Sequence, residues 1–225
     1  MLIYFNPKIK TISNFDYKFD VDIIKNEPMI FSGDLGFARK NSGIITNSIL
    51  DALEATEEFK VAYEKRGENN LVIDTRVNMV MPGQYPSIPG WHCDDVPRKD
   101  NNSQPDFSLC SKNTQHFMVL VSDKAQYISG TEFATKDWEL DIDQNNVWNS
   151  LDRGMKDYIN CNPGGTRFVH DGELIQFNQL AVHRASPAKR NGWRLFFRAS
   201  ITYRQPKNEI RNQVQVYVDL NNAGW

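Results

Sequence analysis

Residues 172–203 read GELIQFNQLAVHRASPAKRNGWRLFFRASITY, and this stretch sets the expectation for the fold. It contains three runs rich in aliphatic and aromatic residues, at 173–178, 181–185 and 193–203. Short polar breaks containing Asn, Pro and Gly separate them. Such runs, bounded by turn-forming residues, are typical of successive β-strands. The stretch therefore predicts three strands in close succession.

Three runs further upstream are also rich in aliphatic and aromatic residues, at 71–81, 115–122 and 131–135, and they predict three more strands. No regular alternation of strands with helices accompanies them, so a parallel sheet with crossover helices is not expected. Many short strands without that alternation favour an antiparallel sandwich or a closed roll. The mouth of such a roll is a natural place for a pocket.

Two segments have helical rather than strand periodicity. Apolar residues recur three or four positions apart over residues 46–65, which predicts one amphipathic helix that supports the strands. A second helix is expected over residues 147–159 on the same grounds. Residues 95–114 are polar and show no periodicity, and a connection of that length is typical of a lid or of disorder.

Composition narrows the class of protein. The chain has 225 residues, enough for a single domain with a full core, and a formal net charge of −2 argues against a globally basic nucleic-acid binder. Residues 184–207 are locally basic, with no Asp or Glu among them. No apolar run is long enough to cross a bilayer, and the N-terminal residues lack the features of a secretory peptide. The three cysteines show no CxxC spacing, so we expect a reducing cytoplasm.

The sequence Pro-Gly-Trp-His-Cys-Asp-Asp-Val-Pro over residues 89–97 carries a candidate metal site. His92 and Asp94 are two residues apart, so in an extended chain both side chains point to the same face. Asp95 would point away from His92. A pair of this kind arises often by chance, and His183, on a later predicted strand, supplies the third donor. Two histidines and one carboxylate leave three positions of an iron ion open, as in Fe(II) oxygenases.

Two arginines follow His183 on the next predicted strand. Arg194 and Arg198 are four residues apart and share a face with Phe196. Burying two guanidinium groups in a β-rich core is costly unless anions meet them. A dicarboxylate cosubstrate would be one such anion.

The ordered set of His92-x-Asp94, His183 within a Gly-Glu-Leu-x-x-Phe…His-Arg-Ala context, and Arg194 eleven residues later resembles the Fe(II)- and 2-oxoglutarate-dependent dioxygenases. The spacing is similar to that of taurine dioxygenase-like and phytanoyl-CoA hydroxylase-like members. The resemblance covers roughly residues 72–203. It implies a mainly β fold, the double-stranded β-helix or cupin-like jelly roll, with iron at its open end.

The resemblance also implies roles for the site residues. His92, Asp94 and His183 would be the catalytic iron ligands, and Arg194 would bind the distal carboxylate of 2-oxoglutarate. Arg198 matches a position that contacts substrate or cosubstrate, although a structural ion pair stays open for it. Thr131 resembles a threonine that helps to hold the same carboxylate. The implied reaction consumes O2 and 2-oxoglutarate, releases succinate and CO2, and hydroxylates a C–H bond. Because Asp94 is present, hydroxylation is favoured over halogenation.

The remaining polar candidates have weaker signals. Asn78 and Arg76 lie on one face of the strand that leads into the iron loop, so alternation places either of them by the cosubstrate pocket. His116 is expected to be a solvent-facing or hydrogen-bonded structural histidine, and His170 a turn residue. The expected organisation is one domain, with a supporting segment at 1–70, a core at 71–204 and an extension at 205–225.

The residues leave two other classes of function open. A zinc hydrolase could use the same three ligands with water in the open position, although that chemistry does not require Arg194. A jelly-roll binding module without catalysis is the other. The substrate is not encoded in a motif: a small molecule is favoured, a protein side chain or a nucleobase stays open, and no membrane is expected as a partner.

Overall fold

The computed structural model describes residues 1–100, 103–123 and 128–218. More of these residues lie in strands than in helices, so the fold is mainly β, and the described sheets are antiparallel and open. The helices are α1 Val21–Lys25, α2 Leu35–Asn41, α3 Ile44–Ala55, α4 Glu57–Glu64 and α5 Val147–Cys161. The strands are β1 Leu2–Phe5, β2 Ile9–Asn14, β3 Ile30–Phe31, β4 Asn70–Val80, β5 Gln84–Tyr85, β6 Gln115–Ser122, β7 Thr131–Ala134, β8 Trp138–Asp141, β9 Thr166–Val169, β10 Glu173–Asn178, β11 His183–Ala185, β12 Gly192–Thr202, β13 Glu209–Ile210 and β14 Tyr217–Val218.

The larger sheet has five strands in the order β2-β10-β6-β12-β4. β12 lies between β6 and the edge strand β4. It pairs with β4 along its whole length, from Gly192 opposite Val80 to Thr202 opposite Asn70. Its other edge pairs with β6. Alternation along β12 separates two environments, because odd-numbered residues such as Phe197 face the helices while even-numbered residues face the smaller sheet.

The smaller sheet has three strands in the order β11-β7-β9. An isolated antiparallel bridge between His92 and His183 adds one further residue at its β11 edge. Three two-stranded pairs complete the described sheets: β1 with β8, β3 with β13, and β5 with β14. The metal-site histidines expected from the sequence are thus neighbours at one edge of this sheet.

Helices α1 to α4 cover the outer face of the larger sheet. Their apolar residues, including Ile24, Ile49 and Leu53, form one cluster with Phe117 and Phe197 of the sheet. A second cluster lies between the two sheets and contains the following buried residues: Met118, Leu120, Phe133, Val169, Ile175, Phe177 and Ala181. The larger sheet therefore buries apolar side chains on both of its faces.

The predicted helix over residues 46–65 is wrong as a single element. Two helices, α3 and α4, meet at Thr56, whose backbone is extended and whose Oγ1 accepts a hydrogen bond from the Phe59 amide at 3.4 Å. Threonine is a favoured N-cap because its hydroxyl satisfies an amide that has no partner within the helix. The periodicity continues across Thr56, which is why it suggested one helix.

The other predicted elements are confirmed. The six predicted strands correspond to β4, β6, β7, β10, β11 and β12, and the predicted helix over 147–159 corresponds to α5. Eight short strands in the described parts of the chain were not predicted, one of which, β2, lies in the larger sheet: β1, β2, β3, β5, β8, β9, β13 and β14. Within the expected lid at 95–114, part of which lies outside the described residues, a short 3-10 helix at Phe107–Leu109 buries Phe107 against Phe5.

The chain's division at residues 70 and 204 stays a prediction. Across the described parts of the chain, none of the helices combines the length and the apolar composition that a membrane crossing requires. The three cysteines are all free thiols, with Cys93 buried and Cys161 exposed. A cytoplasmic location also stays a prediction.

We expect Leu53→Ala to lower the free energy of unfolding by about 2–5 kcal/mol, because it leaves a cavity where helix and sheet share one core. Ile44→Ala, in the same helix but 61% exposed, should change it by less than about 0.5 kcal/mol. Urea unfolding followed by circular dichroism measures both. Equal effects would show that the helices do not share the sheet's core.

Candidate metal centre

His92 and His183 are held side by side by their own backbones. The amide of each donates to the carbonyl of the other, both at 2.9 Å, and their ring centroids lie 4.6 Å apart. Asp94 follows two residues after His92 and points the same way. One ligand atom from each of the three residues lies within 4.8 Å of the others, so the site residues expected from the sequence come together.

Both rings are oriented by the same local device. His92 Nδ1 lies 2.8 Å from the Gly90 carbonyl oxygen, and His183 Nδ1 lies 2.8 Å from the Ala181 carbonyl oxygen. A carbonyl can only accept, so each Nδ1 carries a proton and Nε2 is the ring nitrogen left for a metal. Metal-binding histidines are commonly oriented through their second ring nitrogen in this way. Burial lowers the pKa of His92 to about 4, which keeps that ring neutral near pH 7.

The spacing of the donors fits a small divalent ion. The Nε2 atom of His183 lies 3.3 Å from Oδ2 of Asp94. Adjacent donors, each about 2.1 Å from an octahedral ion, are about 3 Å apart. His183 and Asp94 are thus close to the separation that coordination requires, and a ligand atom of His92 lies within 4.8 Å of both.

Arg198 is buried directly behind Asp94. Its Nη1 lies 2.5 Å from Asp94 Oδ2, and its Nη2 lies 3.1 Å from Asp74 Oδ2. Burial acts to raise the pKa of Asp94, but the Arg198 guanidinium outweighs it and holds that pKa well below its ordinary value. Asp94 is therefore ionised, as a metal ligand must be.

Asp74 contacts three arginines of one charge network, Arg198, Arg204 and Arg211. It is 3% exposed, accepts from Arg204 Nη2 at 3.2 Å as well as from Arg198, and receives the Ser32 amide at 3.0 Å. Arg211 Nη2 lies 3.9 Å from its other oxygen. Sequence reasoning missed Asp74. It stands two residues before Arg76 on the same face of β4, so the alternation that singled out Arg76 and Asn78 also applied to it.

An inner cavity of about 100 Å³ opens on the three candidate ligands. Arg194, 3% exposed, lines it and donates from Nη1 to Ser129 Oγ at 3.2 Å. Arg76, which donates to Ser87 Oγ at 3.2 Å, and Arg198 line it as well. Because Arg198 is paired with Asp94 and Asp74, Arg194 and Arg76 are the guanidinium groups that favour an anion with acidic oxygens in so small a space.

Thr131 and Asn78 are both buried near Arg194. Thr131 lines the inner cavity from β7. Asn78 lies opposite Arg194 in the β4–β12 pairing but does not line the cavity, and its Nδ2 has no hydrogen-bond partner among the described residues. Their proposed contacts with a cosubstrate stay predictions.

The three other candidates lie outside the ligand set. Asp95 has a positive φ of 53° and turns away to pair with Arg204 Nε at 2.9 Å. His170 lies in the turn before Glu173. His116 is fully buried rather than solvent-facing, and its Nδ1 lies 2.9 Å from Ser200 Oγ, so the hydrogen-bonded structural alternative is the one observed.

A second, outer cavity of about 460 Å³ meets the inner one at His92, Asp94 and Ile88. Helix α5 forms one of its walls, and the loop after Asp94 forms another. The candidate metal centre therefore lies between two spaces. The inner one is lined by arginines and the outer one is larger and more apolar.

We expect Asp74→Asn to weaken divalent-metal binding about 10- to 100-fold, because it leaves Arg198 and Arg204 with one fewer compensating charge beside the site. Competition for Fe(II) or Co(II) against a chromophoric chelator measures the change. Asp22→Asn, at an exposed position, is the control. Metal affinity within twofold of the wild type in a folded Asp74 variant would contradict the network's role.

Acid should destabilise the metal-free chain through His116. Burial lowers its folded-state pKa to about 4, whereas the unfolded value is near 6.5, so the unfolded state binds the proton first as pH falls. Stability should decline from about pH 6.5 to 4, by up to about 3 kcal/mol from this group. Urea unfolding at a series of pH values should show a shallower decline in His116→Gln, and an unchanged slope would refute this.

Comparison with known proteins leaves the family open. No protein-family model matches the sequence, and no curated protein matches it. Among solved structures, one described as a non-heme monooxygenase, the ThoJ–Ni complex, aligns over 87% of this chain and 82% of its own, at 10% identity and a TM-score of 0.35. A likeness of this quality shows no family, and the function is inferred below from the site's own geometry.

Proposed function

We propose that the protein is a mononuclear non-haem iron oxygenase that uses 2-oxoglutarate and O2 to hydroxylate a C–H bond of a small molecule. The observation that carries the proposal is the convergence of His92, Asp94 and His183 at the mouth of an arginine-lined cavity. Two imidazoles and one carboxylate on one side of an ion are the ligand set of Fe(II) oxygenases.

The order of the strands supports a jelly roll as the finer description of the fold. Along the chain, β4 is in the larger sheet, the His92 segment is next to the smaller one, and β6 returns to the larger sheet. After β7 and β9 in the smaller sheet, β10 and β12 lie in the larger sheet, with β11 in the smaller one between them. Such winding between two facing sheets is that of a double-stranded β-helix.

His92, Asp94 and His183 would hold the iron, which when bound supplies O2 activation coupled to decarboxylation of the 2-oxo acid to succinate. The two histidines would coordinate through Nε2, because their Nδ1 atoms are engaged by backbone carbonyls. Asp94 supplies the one negative charge. Its presence favours transfer of oxygen over halogenation.

Arg194 is assigned to the distal carboxylate of 2-oxoglutarate. It points into the inner cavity from the strand after His183 and is braced by Ser129. Arg76 and Thr131 line the same cavity and would complete the anion site. A fixed guanidinium fork suits a carboxylate because it can form two parallel hydrogen bonds.

Arg198 is assigned to Asp94 rather than to the cosubstrate. Its two amino groups are taken by Asp94 and Asp74, so it holds the ligand carboxylate in place and offsets its charge. The sequence left open whether Arg198 contacts substrate or cosubstrate or forms a structural ion pair, and these contacts favour the ion pair. Arg198 would thus act through Asp94 as a positioning residue.

We expect Arg194→Met to weaken binding of 2-oxoglutarate at least 10-fold, because the inner cavity loses its braced guanidinium. Under anaerobic conditions, the wild type with Fe(II) and 2-oxoglutarate should show a weak visible charge-transfer band. Titration of that band measures the affinity. Arg153→Met, an exposed residue of α5, is the matched control.

Three outcomes would contradict the proposal. Wild-type protein loaded with iron that shows neither the band nor release of succinate is no 2-oxoglutarate oxygenase. A metal-dependent hydrolysis unaffected by Arg194→Met would favour a zinc hydrolase. Metal content that is unchanged by His183→Ala would show that the three ligands do not form a metal site.

A further inference from the structure

The outer cavity has a composition that points to the class of substrate. It shares His92 and Asp94 with the inner cavity, so a molecule bound in it would lie against the candidate metal centre. Its volume of about 460 Å³ is within the range of small-molecule sites. The inference rests on the proposed function, since it assigns this cavity to the substrate.

Helix α5 contributes Trp148, Asn149 and Asp152 to the lining of this cavity. Trp148 and Asp152 are four residues apart, and side chains at that spacing are neighbours on a helix surface. Both are half-buried, whereas Asn149 beside them is exposed. Leu151 and Met155, on the neighbouring stripe of the same helix, are fully buried in the core. The helix is therefore fixed in the core while an indole and a carboxylate face the ligand loop.

Asp152 is placed against the segment that carries His92. Its Oδ1 accepts a hydrogen bond from the Trp91 amide at 3.1 Å, and a Cβ atom on Gly90 would lie 3.9 Å from that same oxygen. Among the described residues, no hydrogen bond or ion pair involves its Oδ2. A fixed carboxylate with one free oxygen beside an indole is suited to an ammonium group.

Arg98 supplies the opposite charge in the same cavity. One of its amino groups donates to the Ser103 carbonyl, and within the described parts of the chain its guanidinium forms no ion pair. The cavity's other charged residue, Asp94, is already paired with Arg198. The two charges left for a ligand are therefore one negative, on Asp152, and one positive, on Arg98.

We infer that the outer cavity binds a small zwitterion, a free amino acid, with its ammonium group at Asp152 and its carboxylate at Arg98. The side chain of that amino acid would lie along Trp148 and Ile88 toward His92. A neutral or singly charged molecule would pair with only one of these two charges, so it should bind more weakly than the zwitterion.

Binding can be tested without turnover. The full-length, Fe(II)-loaded protein with 2-oxoglutarate is screened anaerobically against the twenty proteinogenic amino acids by saturation-transfer NMR, and hits are titrated by calorimetry. At least one amino acid should bind. Its N-acetyl derivative and its methyl ester should each bind at least 10-fold more weakly, because each removes one of the two charges.

Variants test the placement. Asp152→Asn keeps the oxygen that accepts the Trp91 amide, so the loop keeps its anchor, yet amino-acid binding should weaken at least 10-fold. Arg98→Gln should have a similar effect through the carboxylate. Asp157→Asn, an exposed carboxylate on the same helix, should leave the affinity within twofold. Should Asp152→Asn fail to fold, the analogue series on the wild type decides.

The outcomes separate this inference from the proposed function. No binding by any amino acid, equal binding of the N-acetyl derivative, or an unchanged affinity in folded Asp152→Asn would each overturn it. If the charge-transfer band forms while no amino acid binds, the oxygenase proposal stands and the zwitterion fails. If an amino acid binds as described but no band forms, the cavity assignment stands and the oxygenase proposal fails.

Discussion

The guanidinium of Arg198 is 8% exposed and lies in the interior between three parts of the chain. An isolated charge there would be very costly, and it is tolerated because Asp94 and Asp74 meet it from opposite sides. Arg198 belongs to β12, Asp74 to β4 and Asp94 to the loop beyond β5. The ion pairs therefore hold the ligand loop against β12 and β4, and the geometry of the candidate metal centre depends on these ion pairs.

The backbone supplies the second constraint. Because His92 and His183 exchange amide hydrogen bonds, the relative position of the two rings is set by a strand pairing rather than by flexible side chains. Each ring is then oriented by a carbonyl two residues earlier in the chain. Ligands built on paired strands are held more precisely than ligands on free loops. Asp94 lacks such a backbone device, which is why it needs the arginine.

The same architecture separates two spaces around the centre. Even-numbered residues of β12 bring arginines into the inner cavity, while α5 and the loop after Asp94 enclose the outer one. One face of the larger sheet thus provides the anion-binding groups of the inner cavity, and α5 provides a wall of the outer cavity. In this arrangement the residues of β12 would determine the type of reaction, whereas α5 and the loop after Asp94 would determine which substrate binds.

Strand alternation and helical periodicity were readable in the sequence, and they determined the mainly β class, six of the strands, α5, and the common face of Arg194 and Arg198. His92 and Asp94 were also predictable as a pair, because residues two apart on an extended chain share a face, and His183 was added from its place on the predicted strand before the two arginines. What the chain could not reveal was which carboxylate would meet which arginine. Asp74 lies far from Arg198 in sequence, and their contact arises only when β4 pairs with β12. The same holds for Asp152, which reaches the Trp91 amide because α5 packs beside the ligand loop. Local patterns record which face a side chain occupies, whereas its partner across a sheet or cavity is decided by long-range packing.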